Sequence, residues 1–266
     1  MKFLFVFLSG AFALFSTTYV AAQSKDVSIG FRTGMTIPSI TSSGDNPITS
    51  GYSTTNRFGV GVFAEFKINH LFSLQPMLEY VQEGAKKNGM QALYPVPDDV
   101  VGLIQQIGQS VPDYLYANIN NSAKINYLML PVLAKFGWDI GQKKSWRFYV
   151  DAGPYIGLLT GAKQITSGTS DVYLDQQGQL NLSQLSQGYF PGSVSFDNDT
   201  TITGSLHRFN FGLEGNVGIQ YQIKRSRIFI EGGGNYGLMN IQKYPDIDGK
   251  NHIGAVTIMI GYAYRL

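Results

Sequence analysis

Hydrophobic residues alternate with polar or small residues along eight segments of the chain. In the first, Ile29, Phe31 and Met35 alternate with serine, glycine and arginine. A period of two predicts β-strands with one apolar face and one polar or small face. The predicted strands are Val27–Thr36, Arg57–Ile68, Phe72–Gln82, Ile125–Trp138, Trp146–Gly161, Arg208–Ile223, Arg227–Leu238 and Asn251–Leu266.

Several of these segments are longer than the strands of soluble proteins, which average roughly five or six residues. A tilted strand that crosses a membrane needs roughly nine to eleven. A lipocalin-like barrel and a long-stranded sandwich are the soluble alternatives. On the fourth segment, Pro131 is predicted to point inward, at a bulge or a weak point of the hydrogen-bond ladder.

The gaps between segments alternate between short and long, which is typical of an outer-membrane barrel with short periplasmic turns and long external loops. We therefore predict an all-β fold: a single antiparallel transmembrane β-barrel of eight strands with both termini periplasmic. Ten strands are the alternative, if Asp171–Leu182 pairs with Ser193–Thr203. The short gaps are Asn69–Leu71, Asp139–Ser145 and Lys224–Ser226. The long ones are Ile37–Asn56, Glu83–Ala123 and Ala162–Leu206, and Asn240–Lys250 is intermediate.

One external segment has helical rather than strand periodicity. Asp98–Gly108 carries apolar residues at near-helical spacing, with Pro97 and two aspartates at its start and a glycine at its end. We expect a short loop helix there. It either packs against neighbouring loops, which we favour, or acts as a lid or plug over the barrel mouth.

The N-terminus predicts export. A basic residue precedes the apolar run Phe3–Phe15, and small residues precede a predicted cleavage site between Ala22 and Gln23. We therefore expect a cleaved signal peptide over residues 1–22 and one barrel domain over residues 23–266. The expected location is the cell outer membrane.

Composition narrows the classes of function. A net charge of +2 with scattered basic residues does not indicate nucleic acid as a partner. The chain has no cysteine, which excludes disulfides, thiolate chemistry and a lipid-anchored lipoprotein. The 31 glycines suit a crowded barrel interior, and the 16 tyrosines and 17 phenylalanines suit aromatic girdles at the two membrane interfaces.

Candidate catalytic residues are few, since general acid–base chemistry usually needs histidine and the chain has three. His70 lies in a predicted periplasmic turn, while His207 and His252 lie at the outer rim near aspartates. No catalytic motif is present, and Asp197–Asp199 resembles only part of a calcium loop. We predict that the protein is not an enzyme and that it holds no metal and no cofactor.

The last strand carries a pattern that resembles the signal read by the barrel-assembly machinery. Gly261, Tyr264 and Leu266 fit Gly-x-x-apolar-x-apolar, although the usual last residue is aromatic. We therefore expect this machinery as a partner during biogenesis, and outer-membrane lipid around the barrel. Residues 83–123 and 162–206 are the candidate contacts for an external ligand or protein.

Three further segments resemble the PorT-like family of outer-membrane β-barrel proteins. Ile125–Phe136 carries the pattern Tyr-Leu-x-x-Pro-x-x-x-Lys, Phe148–Tyr155 resembles the following Gly-Pro strand, and Gly30–Gly34 fits the opening strand. The resemblance covers nearly all of the exported chain. It implies a porin-like barrel class and transfers no catalytic or ligand-binding residue.

The period-two pattern also predicts a charge network inside the barrel. Isolated charges in so narrow a space are costly, so they should pair or be hydrated. Since eight strands leave room for little more than side chains, we favour a packed, salt-bridged lumen in a structural or surface-binding protein. The alternatives are a small gated channel and, more distantly, an outer-membrane hydrolase. The predicted network is Arg32, Glu65, Lys67, Glu79, Lys135, Arg147, Asp151, Glu214 and Glu231.

Overall fold

The computed structural model describes residues 26–43, 47–48, 50–142 and 145–266, and its main body is a ring of eight strands. The predicted signal peptide, Ala22 and Gln23 lie outside the described residues. The ring strands are β1 (Val27–Ser43), β2 (Arg57–Lys67), β3 (Phe72–Leu93), β4 (Leu115–Ile140), β5 (Trp146–Ser167), β6 (Phe209–Ile223), β7 (Ser226–Gly237) and β8 (Lys250–Arg265).

Each ring strand pairs with its two neighbours in an antiparallel sense, and β1 pairs with β8 to close the barrel. The predicted eight-stranded antiparallel barrel is confirmed. The short connections lie at the end where β1 begins and β8 ends, and the long loops lie at the other. We call these the inner and outer ends.

The outward face is apolar, as the alternation predicted. Outward side chains such as Leu130, Val132 and Phe136 are exposed, and no helix among the described residues is long and apolar enough to cross a membrane. Aromatic pairs border the apolar band. Ring centroids lie 4.7 Å apart in Trp146–Tyr221 near the inner end and 6.2 Å apart in Phe58–Tyr80 near the outer end.

Three adjacent strands extend beyond the apolar band at the outer end. β3, β4 and β5 have 22, 26 and 22 residues, whereas β2 has 11. The predicted loop bounds were therefore wrong in part: residues 83–93, 115–123 and 162–167 belong to β3, β4 and β5, and residues 37–43 of the predicted first loop belong to β1. Residues 94–114 are a loop with a helix, as predicted. The inward alternation continues through Leu115, Ala117 and Ile119, which are buried, so β3 and β4 stay paired as far as Leu93.

The ten-strand alternative is also wrong. Val172–Tyr173 pairs with the outer end of β4, and Asn198–Thr201 pairs with the outer end of β5. Thr169–Ser170 and Val194–Ser195 pair with each other. These short strands widen the external wall that β3, β4 and β5 form and add no strand to the eight-stranded ring.

Pro131 points inward, as predicted, and is accommodated without a bulge. The β3–β4 ladder is interrupted opposite Pro131 and resumes in the same register, whereas the irregularity between β4 and β5 lies at Asn126 and Tyr127. A proline has no N–H to donate, so it is tolerated where the ladder is already interrupted.

The described external loops contain three short α-helices and one turn of 3₁₀ helix. They are α1 (Asp98–Gln106), α2 (Leu182–Leu185), α3 (Pro245–Asp248) and the 3₁₀ turn Thr203–Ser205. The predicted loop helix is α1. It buries Val100 and Ile104 in a loop cluster that also contains Leu115, Val172, Leu174 and Leu182, so it packs against neighbouring loops, as we favoured.

We expect Ile104→Ala to loosen this loop cluster without unfolding the barrel. Ile104 is fully buried in the cluster, and truncation of such a side chain costs about 2–5 kcal/mol. Limited proteolysis of the refolded protein should cut the second and third external loops faster. Val111→Ala, at an exposed position of the same loop, is the matched control and should leave the cleavage rate unchanged.

Candidate functional site

The inward face of β4 shows how the interior is layered. From the outer end inward, its side chains border an external cavity, then an apolar cluster, and finally a charged cluster. They are Ile119, Asn121, Ala123 and Ile125 at the cavity, Tyr127 and Met129 in the apolar cluster, and Lys135 in the charged cluster.

Arg32 lies in the middle of the lumen and joins three other strands of the ring. Its Nη2 is 2.6 Å from Glu79 Oε2 and 2.6 Å from Glu214 Oε1, and its Nη1 is 2.7 Å from Glu231 Oε1. All four side chains are almost completely buried. We call these four residues the Arg32 brace, because charge-assisted hydrogen bonds tie β1, β3, β6 and β7 together across the lumen.

Neighbouring groups extend the brace. The Tyr149 hydroxyl donates to Glu231 Oε2 at 2.6 Å. Asn216 Nδ2 donates to Glu214 Oε1 at 3.1 Å and to Asp151 Oδ1 at 2.8 Å. These bonds bring β5 into the same network, so five of the eight strands are linked through buried polar side chains.

A second charged cluster lies towards the inner end, centred on Glu65. Its Oε2 contacts Lys135 Nζ at 3.3 Å and also pairs with Arg227, while its Oε1 accepts from Ser73 Oγ. Lys135 Nζ also lies 3.8 Å from the centre of the Tyr149 ring. This cation–π contact joins the Glu65 cluster to the Arg32 brace.

Two predicted members of the network lie apart from these clusters. Lys67 is half-exposed and 3.7 Å from Asp26 at the inner rim. Arg147 binds Asp139 at 2.8 Å and the His70 carbonyl at 2.6 Å, also at the rim. Each stands close to a strand end, where inward-pointing side chains reach solvent.

Two buried charged residues were missing from the predicted set. Arg227 and Glu83 are inward-facing and buried. Both follow from the same alternation: Arg227 precedes the outward Ile228, and Glu83 continues the inward row of Glu79. They were missed because the predicted segments ended or began at their positions.

The buried charges do not balance. Six acidic and three basic residues are buried among those described, whereas the sequence pattern predicted five and four. They are Glu65, Glu79, Glu83, Asp151, Glu214 and Glu231 against Arg32, Lys135 and Arg227. Full ionisation would leave an excess of three negative charges, which protons, cations or water must offset in so apolar a space.

Above the apolar cluster, the four external loops and the extended strands line a partly open cavity of about 600 Å³. Every loop contributes to it: Tyr52 from the first, Val100 from the second, Phe190 from the third and Ile241 from the fourth. We call it the outer cavity. No periodic pattern in the sequence predicts this cavity, because the loops meet only when the barrel closes.

More apolar than polar side chains line the outer cavity, and the polar ones include Gln91, Gln164 and Gln242. Asn121 and Asn251 are buried in it, and the Oδ1 atom of each has no hydrogen-bond partner among the described residues. Asp248 also lines the cavity, and burial raises the pKa of its carboxyl. Burial raises the pKa of the Tyr52 hydroxyl too, and the nearby Asp248 charge adds to that shift.

The two rim histidines and the calcium-like loop have the following surroundings in the described part of the chain. His252 stacks on Tyr236 with ring centroids 6.0 Å apart, and His207 is exposed. Neither imidazole forms an ion pair with a described carboxylate. Asp197 accepts from Gly168 N, and Asp199 pairs with Lys163 at 3.0 Å.

Comparison with known proteins decides the family. A family model described as an outer membrane protein beta-barrel domain matches residues 21–243. The chain belongs to this family. Its location is therefore the outer membrane, where the short turns of such barrels face the periplasm and the long loops face outward. No curated protein matches the sequence.

Several solved outer-membrane proteins show distant similarity to this barrel. Neisserial surface protein A is 11% identical, with 91% of this chain and 98% of that chain covered and a TM-score of 0.40. Ail, the attachment invasion locus protein of Yersinia pestis, is 13% identical, with coverages of 90% and 98% and a TM-score of 0.35. A TodX mutant described as a monoaromatic hydrocarbon channel is 8% identical, with 90% of each chain covered and a TM-score of 0.26.

Proposed function

We propose that this outer-membrane barrel is closed to solutes and acts at the cell surface, through its external loops, as a structural or binding protein. The Arg32 brace carries the proposal, because it connects strands from several sides of the ring in the middle of the lumen. The apolar cluster around Tyr127 and Met129 fills the lumen further outward.

A small gated channel is the second candidate function. The excess of buried acidic residues favours it, since a cation passing through would compensate the unbalanced charge. Glu79 Oε1 and Asp151 Oδ2 have no protein partner among the described residues and are the groups that such a cation would meet.

Conductance in a planar lipid bilayer separates the two candidates. We expect the refolded chain, Gln23–Leu266, to give no reproducible conductance steps. Steps that shift on Glu214→Gln, but not on Asp139→Asn at the inner rim, would show a channel and overturn the closed-lumen proposal. Folding is verified by slower gel migration before boiling.

We further propose that the chain is a PorT-like member of its family, is exported by a signal peptide cleaved before Gln23, and is recognised by the barrel-assembly machinery. The pattern Tyr-Leu-x-x-Pro-x-x-x-Lys over Tyr127–Lys135 supports the first point. Gly261, Tyr264 and Leu266 support the last, and Tyr264 and Leu266 are exposed on the outward side of the final segment. Mass measurement of the mature N-terminus tests the cleavage site.

We also propose that the protein is not an enzyme. Its family consists of outer-membrane barrel proteins, and the two rim histidines lack a carboxylate ion-pair partner among the described residues. Loss of a cell-surface activity on His207→Ala or His252→Ala would contradict this.

A further inference from the structure

We propose that the outer cavity binds a small molecule with an apolar body and a hydrogen-bond donor, and that it prefers neutral or cationic ligands to anions. This inference rests on the proposed surface-binding function and names the chemistry of its ligand. Four features of the cavity support the proposal: its volume, its apolar wall, its two buried acceptors without partners among the described residues, and its charge.

The size of the cavity suits a small ligand. Its volume is about 600 Å³, within the range of roughly 300–1,000 Å³ that is typical of small-molecule sites. Strands form one wall, through side chains such as Ile119 and Ile125 of β4. Because the loops supply the opposite wall, a ligand would contact both the rigid barrel and the external segments.

The apolar wall accounts for affinity towards an apolar body. It includes Val100 from α1, Phe190 and Phe196 from the third loop, and Ile241 from the fourth. Phe190 and Phe196 are half-buried. An apolar ligand that covers this partly exposed apolar surface removes it from water, and this favours binding.

Two acceptors account for the hydrogen-bond donor on the ligand. Asn121 Oδ1 and Asn251 Oδ1 are buried in the cavity wall and have no partner among the described residues. A buried acceptor without a donor costs stability. Neither oxygen is exposed to the cavity as it stands, so a rotation of the side-chain amide would have to present it to an N–H or O–H group of a bound molecule. The hydrogen bond would then remove that cost and orient the ligand.

The charge of the cavity accounts for the preference against anions. Asp248 is the only charged side chain among the described lining residues, so they include no lysine, arginine or histidine to pair with an anion. A carboxylate or sulfonate would lose its hydration next to a like charge. A neutral ligand avoids this cost, and a cation would gain from Asp248.

Two dyes with the same ring skeleton test this chemistry. N-phenyl-1-naphthylamine is neutral and has one N–H donor, whereas 8-anilino-1-naphthalenesulfonate adds a negative charge. Each is titrated into the refolded full chain at one fixed detergent concentration, and the micelle signal is subtracted. We expect the dissociation constant of the neutral dye to be at least about tenfold lower than that of the sulfonate. The sulfonate would lose its hydration without gaining a positive partner, and this cost is at least about that of one unmade buried hydrogen bond.

Three variants locate the site. Ala123→Trp, which fills the cavity, should abolish binding of the neutral dye, and Asp248→Asn should strengthen binding of the sulfonate. Asn121→Leu removes an acceptor at nearly constant volume and should weaken binding of the neutral dye about five- to tenfold. Asn120→Leu, at the exposed neighbouring position of β4, is its matched control and should bind like the wild type.

Equal binding of the neutral dye to the wild type, Ala123→Trp and Asn121→Leu would overturn the inference. If Ala123→Trp does not fold, as judged by gel migration before boiling, the Asn121→Leu and Asn120→Leu pair decides. Bilayer conductance of the same preparation tests the closed lumen separately. A barrel that gives neither conductance steps nor specific dye binding would refute the ligand site alone. A barrel that conducts would refute the closed lumen.

Discussion

Replacement of Arg32 by methionine is expected to destabilise the folded barrel by about 3–5 kcal/mol, the usual cost of leaving buried charges without their partner. Glu79, Glu214 and Glu231 all bind this guanidinium, and each is almost fully buried. Without Arg32, they would repel one another in a medium of low polarity. Urea unfolding of the refolded protein, followed by gel migration without boiling, measures the change in unfolding free energy.

Arg265→Met is the matched control for this prediction. Arg265 pairs with Asp26 at 3.6 Å, and both side chains are well exposed, so its removal should change stability by less than about 1 kcal/mol. Addition of Glu214→Gln to Arg32→Met should recover part of the loss, because it removes one of the repelling charges. If Arg32→Met unfolds at the same urea concentration as Arg265→Met, the brace does not stabilise the barrel.

Gly153→Ala is expected to destabilise the barrel by about 1–3 kcal/mol, the range for overpacking a tightly packed interior. A Cβ added at Gly153 would lie 1.9 Å from the carbonyl oxygen of Val132 on the neighbouring strand. The obstacle is backbone and cannot rotate away, so β4 and β5 must separate locally. The midpoint of urea unfolding should fall clearly below that of the wild type.

Gly157→Ala on the same strand provides the comparison. Its added Cβ would meet Tyr127 Cδ1 at 3.4 Å and Met129 Cγ at 3.7 Å, which are ordinary contacts. Because alanine loses less backbone freedom than glycine on folding, this variant should match or slightly exceed the wild type in stability. Similar midpoints for the two variants would show that the contact at Gly153 does not limit packing.

The proposed closed lumen and the proposed ligand site in the outer cavity would place two different roles at two levels of the barrel. The buried charges stabilise the membrane-spanning part by linking strands across the ring, whereas the apolar cavity is formed where β3, β4 and β5 extend past the apolar band. A ligand in the outer cavity would therefore contact the external loops without entering the lumen. Under these two proposals, the protein would bind a ligand at the surface and its lumen would not conduct.

Much of the barrel could be predicted from the sequence, because a strand repeats its facing every two residues. The pattern of residues such as Ile29 and Phe31 sufficed to assign outward faces, and the inward positions of Arg32, Glu79 and Glu214 followed. The strand ends were less predictable. The segment around Leu115 and Ala117, which belongs to the external wall, has the composition of a loop. Its strand character is evident only once its partners on β3 and on Val172–Tyr173 are known.

The sequence by itself determined the number of strands, their inward and outward faces and the membership of most lumenal charges, since these properties depend on local periodicity. Only the tertiary structure decided which charges meet. Arg32 and Glu231 are 199 residues apart in the chain, and closure of the ring brings them together. The outer cavity likewise exists only after the ring closes, because its walls come from all four loops. No local sequence pattern predicts that these loops lie side by side.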